Sequence, residues 1–132
     1  MVIGGPVKVS LNVKLSSTDA DMVVKLIDVR PDGYQMLVRG DVMPMRFRKS
    51  FEKPQAVRPG EPTLVQFTMN DVYHVLKPGH KLMVQVQSSW YPLFAMNPQK
   101  FLKNPYLAEA KDYTSCEVTI VPGESYVELQ VL

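Results

Sequence analysis

From residue 7 to residue 15 every second side chain is apolar: Val7, Val9, Leu11, Val13 and Leu15 alternate with Lys8, Ser10, Asn12 and Lys14. Successive side chains of an extended chain point to opposite faces, so this spacing gathers the apolar groups on one side. A helix would scatter the same residues around its circumference. The segment is therefore a half-buried strand, and such a strand requires a second layer to cover its apolar face.

The same grammar runs through the chain. Met22 to Val29 is more continuously apolar and reads as a strand covered on both faces. Arg30-Pro31-Asp32-Gly33 is a tight turn, returning the chain into a strand over Tyr34 to Val42. Phe47 to Gly60, with Pro54 and Pro59, reads as an edge strand and a long loop. Pro62 to Met69 places Val65, Phe67 and Met69 on one face, and Asn70 to Leu76 fits a short strand or a helical turn. Lys77-Pro78-Gly79-His80 turns the chain into Lys81 to Ser89. Ser115 to Val121, a Pro122-Gly123 turn and Tyr126 to Leu132 complete the pattern. About eight strands with no helical periodicity predict an all-β jelly-roll sandwich. Its expected core is Val9, Leu11, Val13, Leu26, Phe67, Leu82, Val84 and Val86.

Composition sets the remaining bounds. Residues 1–132 suit a single domain, and 45% hydrophobic residues supply a core. A formal charge of +2 gives no footprint for nucleic acid, and no apolar run is long enough for a membrane partner. Arg46, Arg48 and Lys49 read as a solvated strand end. None of the serines sits in the G-x-S-x-G turn that a hydrolase nucleophile uses. His74 and His80 are the only histidines. The first reads as structural or surface, the second as a ring satisfying backbone groups at a strand end. Cys116, the lone cysteine, reads as a buried inert thiol. One cysteine and two separated histidines are a poor zinc supply. Asp19, Asp21, Asp28 and Asp32 read as turn and strand-end aspartates rather than calcium ligands. The expectation is a chain with no catalytic residue, no cofactor and no metal.

The longest irregular stretch runs from Trp90 to Asp112, and such a length marks a functional loop. It opens on Trp90, Tyr91, Pro92, Leu93 and Phe94, large side chains of the kind that anchor interfaces. With Tyr106 they form the candidate docking face, through which the isolated chain is also expected to self-associate. An alternative from another class is a carbohydrate-binding module, with Trp90, Tyr91, Tyr106 and Tyr113 as a sugar platform.

Several segments together resemble a family. Leu15 to Asp21, Val24 to Val29, Pro31-Asp32-Gly33, Arg46-x-Arg48-x-Ser50 and Pro59-Gly60 are similar to the C-terminal domain of X-Pro dipeptidyl-peptidase-like hydrolases. So are Lys77 to Val84, Val86 to Pro92, Asn97-Pro98 and the ending from Ser125. That group includes cocaine esterase and the α-amino acid ester hydrolases. The resemblance implies a galactose-binding-like jelly roll that follows a larger α/β-hydrolase domain in a parent serine hydrolase. The parent would hydrolyse esters or peptides with a triad lying outside this chain. Residues 1–132 would then be a non-catalytic C-terminal fragment that braces the hydrolase and lines the substrate entrance. Met1 to Pro6 is no signal peptide, and the compartment stays open, with a secreted or periplasmic parent compatible.

Overall fold

The computed structural model describes residues 1–132 and has β1 (Val2–Leu15) as its spine. The remaining strands are β2 (Asp21–Val29), β3 (Gln35–Pro44), β4 (Thr63–Val75), β5 (Lys81–Gln87), β6 (Val118–Ile120) and β7 (Tyr126–Glu128). One edge of β1 pairs with β4; the other pairs with β6 near its C-terminal end and with β7 further back. The second sheet has the order β3-β2-β5. All these pairings are antiparallel, and the two sheets enclose one core as a β-sandwich.

The alternation in β1 does what its spacing requires. Val7, Val9, Leu11, Val13 and Leu15 are all buried and meet Met22, Val24 and Leu26 of β2 across the sheets. Val65 and Met69 of β4 close the same cluster. β1 begins earlier than its alternation, because a bulge carries pairing past Pro6. Gly5 pairs with Val72 and Val7 with Met69, so Pro6 lies opposite Asn70 and Asp71. Gly5 takes a φ of 85°, which suits glycine at a bulge. The breakers therefore bend the strand without ending it, and Asn70 to Val75 continues β4 rather than turning helical.

Three expectations need correction. Phe47 to Gly60 forms no strand; a 3₁₀ turn at Met45–Phe47 leads into a loop. Arg48 explains this, since its guanidinium donates to the carbonyls of Met45 (2.9 Å), Gln55 (2.9 Å) and Ala56 (3.1 Å), curling the loop on itself. Without that strand the sandwich has seven strands rather than about eight.

The second correction concerns Val84, which is 42% exposed. Its neighbours Leu82 and Val86 are only partly buried against the core. β5 is an edge strand, and the strands of the other sheet on its side, β6 and β7, span three residues each and cover it poorly. Phe67 is likewise partly buried, whereas Val9, Leu11, Val13 and Leu26 lie fully inside. The third correction is Cys116, which is only half-buried.

Candidate functional site

The turn from Ser16 to Ala20 ties the long loops to the sandwich. The Thr18 carbonyl accepts from the Val57 N–H at 2.9 Å, and its hydroxyl accepts from the Phe101 N–H at 2.8 Å. Next to it, Asp19 is 1% exposed. Its Oδ1 accepts from the N–H groups of Ala20 (3.0 Å) and Arg46 (3.2 Å), and its Oδ2 lies 3.8 Å from Arg46 Nε. Arg46 is therefore buried rather than solvated. Its guanidinium donates to the Leu102 carbonyl and lies 4.5 Å from the Phe101 ring centre. Burial pushes the Asp19 carboxyl up to about 6, against the opposing pull of Arg46.

Asp21 opens β2 and faces outward from the sandwich. Asn97 Nδ2 donates to its Oδ1 at 2.9 Å, and no protein donor meets its Oδ2. Burial raises this carboxyl as well, with Asn97 and Arg46 pulling the other way. Asn97 also accepts from the Gln99 N–H at 2.7 Å, fixing the loop that follows. Around Asp21 and Arg46 a cleft of about 490 Å³ is lined by Phe47, Tyr91, Phe94, Met96, Tyr106 and Tyr113, among others.

Within the expected docking set, Tyr91, Phe94 and Tyr106 come together as walls of this cleft. Pro92 and Leu93 are exposed beside it. Trp90 plays another part: its half-buried indole lies on Gly40 of β3, with Lys25 Nζ 4.3 Å from the ring centre. The Phe94 ring packs 5.9 Å from it, and the Phe94 N–H donates to the Trp90 carbonyl at 3.0 Å. Trp90 thus seats the loop on the outer face of the β3-β2-β5 sheet. With Gly40 on one side and Lys25 over its ring, it has little surface left to act as a sugar platform. Asp21, Arg46 and Asn97 were not among the expected site residues. All three lie in segments that carried the family resemblance, but nothing local in the sequence assigns them a role.

A second polar cluster closes the far end of β2. Asp28 has the inward parity of Met22, Val24 and Leu26 and is 2% exposed. His74 Nε2, from β4 in the opposite sheet, lies 2.9 Å from Asp28 Oδ2, and His80 Nδ1 lies 2.8 Å from Oδ1. An ionised carboxylate only accepts, so both rings donate. Burial works against the charge on Asp28, but the two imidazole hydrogen bonds outweigh it and hold its pKa below the usual range. His80 therefore satisfies a carboxylate rather than the backbone. The four aspartates form no single cluster: Asp19 and Asp21 lie beside Arg46 and Asn97, Asp28 holds the two histidines, and Asp32 Oδ1 caps the β2-β3 turn through the Tyr34 N–H at 3.0 Å.

Fold and cleft together define a class: a β-sandwich module whose rigid sheets present a long aromatic loop. The chain belongs to the family described as X-Pro dipeptidyl-peptidase C-terminal non-catalytic domain, which matches residues 1–112. Cocaine esterase from Rhodococcus sp. (strain MB1 Bresler) is 36% identical over 95 residues, covering 72% of this chain and 17% of the esterase. The crystal structure of an aminopeptidase from a marine sediment archaeon, Thaumarchaeota archaeon, superposes with a TM-score of 0.95 at 31% identity. That match covers 99% of this chain and 23% of the aminopeptidase. A selenomethionine-labelled α-amino acid ester hydrolase gives a TM-score of 0.91 at 33% identity, covering 97% of this chain and 23% of its own. The chain thus spans about a fifth of the length of these relatives.

Proposed function

We propose that the chain is the C-terminal accessory domain of a larger serine hydrolase acting on ester or peptide bonds. It docks through Tyr91 to Phe94 and Tyr106, braces an α/β-hydrolase domain of the same polypeptide, and walls one side of the substrate entrance. The observation that carries this reading is the exposed loop: Tyr91, Leu93 and Tyr106 stand well clear of the sandwich while Trp90 holds the loop in place. Exposed rings grouped on one rigid face are surface that a partner covers. The relatives supply the partner's chemistry, since an esterase, an aminopeptidase and an ester hydrolase each contain a match to this domain within a much longer chain.

The test is made in the full-length parent. Tyr91→Ser with Phe94→Ser should loosen the two domains, lower the thermal midpoint of the hydrolase and reduce kcat/KM with its triad untouched. Full activity and an unchanged midpoint would remove this face as the docking surface. The isolated chain should leave p-nitrophenyl acetate unhydrolysed and take up no fluorophosphonate label; stoichiometric labelling of a serine would overturn the accessory role.

A further inference from the structure

The two long sides of the sandwich are finished differently. Where β3 lies beside β4, Arg39 Nη2 donates to the Asp71 carbonyl at 2.6 Å and ties one sheet to the other. On the opposite side β5 lies beside β6 and β7, and no hydrogen bond joins it to them. Residues of inward parity stay half-buried there, Leu82 and Val86 on β5, Val118 and Ile120 on β6, and Val127 on β7. Val84, at the middle of β5, is 42% exposed. Apolar surface is thus left open along a sheet edge.

That edge is also open in its backbone. β5 pairs with β2 on one side only, so its other side presents peptide groups without a protein partner. Proteins commonly guard such an edge with a charge, a proline or a bulge. From Leu82 to Gln87 there is no charged residue and no proline, and the pairing of β5 with β2 runs without a bulge.

The strand is complementary to itself. In an antiparallel pairing about a two-fold axis at Val84, that residue meets Val84 of the second copy, Leu82 meets Val86, and Met83 meets Gln85. Lys81, the one charged residue of β5, meets Gln87 rather than another lysine. Apolar side chains therefore match on the inward face, and no like charges oppose each other. A different strand would need the same alternation and the same neutrality; a second copy has both.

We propose that two copies of this chain associate through β5, edge to edge and antiparallel, as a two-fold symmetric dimer whose β3-β2-β5 sheets form one continuous sheet. The contact uses the edge of that sheet, whereas the aromatic loop lies on its outer face, so the dimer does not depend on the docking reading.

Sedimentation equilibrium of the 132-residue chain should approach twice its 14.9 kDa mass, with a Kd on the order of 10 μM for so small a contact. Over the same concentration range, hydrogen exchange at β5 amides should slow while exchange at β3 stays constant. Val84→Lys sets two lysines against each other across the axis and should weaken association about 10- to 100-fold. Val84 is already partly exposed, so the urea midpoint of dilute, monomeric protein should hardly move. Val84→Glu should act likewise alone. Mixed in equal amounts, the two variants should associate again, because lysine then faces glutamate; a residue that merely supports the fold gives no such rescue. A chain still monomeric at about a hundred times the expected Kd would overturn the proposal. So would a dimer that survives Val84→Lys, a mixture that stays monomeric, or a dimer broken by Tyr91→Ser with Phe94→Ser. Should the Val84 variants fail to fold, exchange in the unaltered chain decides: β5 protection that ignores concentration refutes the dimer.

Discussion

The indole of Trp90 rests directly on Gly40: a Cβ at that glycine would lie 2.6 Å from Trp90 Cη2 and 2.8 Å from Cζ3. Gly40 is required here for close approach, because any side chain would lift the ring and the loop it seats. Gly40→Ala should cost about 1–3 kcal/mol, the range for overfilling a packed contact. Trp90 is the only tryptophan in the chain, so its emission should shift to the red in that variant. An unchanged spectrum together with an unchanged urea midpoint would show that the indole sits elsewhere.

Leu26 and Val84 are cross-strand partners with opposite surroundings. Leu26 is 1% exposed and Val84 is 42% exposed. Leu26→Ala should therefore cost about 2–5 kcal/mol, from lost transfer energy and the cavity left behind. Val84→Ala should cost less than about 1 kcal/mol. Equal losses in denaturant melts would mean that β5 is better covered than described.

Arg46 and Asp19 are each buried, so removing either one strands the other's charge. Arg46→Met should cost about 3–5 kcal/mol, because it leaves the Asp19 carboxylate buried without its cation, and the loss should be clearly smaller when Asp19→Asn is present as well. A double-mutant cycle in urea checks this; strict additivity would mean that the two side chains do not interact.

The aspartates give opposite acid responses. Asp28 is held below its ordinary value, so the stability it contributes is present above about pH 4 and is lost as pH falls through its native pKa. Asp19 is raised to about 6, so its contribution is present below about pH 4 and is lost as pH rises through about 6. Asp21, also raised, adds to the second trend. Urea midpoints across this range should show Asp28→Asn flattening the loss below about pH 4. Asp19→Asn should reduce the decline on the way up to about pH 6. Identical profiles in both variants would refute these assignments.

How much of this was legible follows from the range over which each feature is determined. β1 could be read because alternation is a property of consecutive residues, and so could the turns at Pro31-Asp32-Gly33 and Pro78-Gly79. Val84 shares the inward parity of Leu82 and Val86 in its strand, but its exposure depends on how far β6 and β7 reach, which no local pattern encodes. Arg46 looked solvated because arginine usually is; its burial depends on Asp19, 27 positions earlier. Of the loop anchors, Tyr91, Phe94 and Tyr106 were read as one group and do share a cleft. Trp90 was read with them because composition marks large rings without saying which one will lie on a sheet and which will stand free.

Thr18 gives the two long loops a common fate. One residue holds the Val57 amide through its carbonyl and the Phe101 amide through its hydroxyl. An excursion that displaces Thr18 releases both amides at once, although they lie far apart in the chain. Exchange of the amide protons at 57 and 101 should therefore rise together in a variant that loses the Thr18 turn, each loop keeping its own further ties through Arg48 and Asn97.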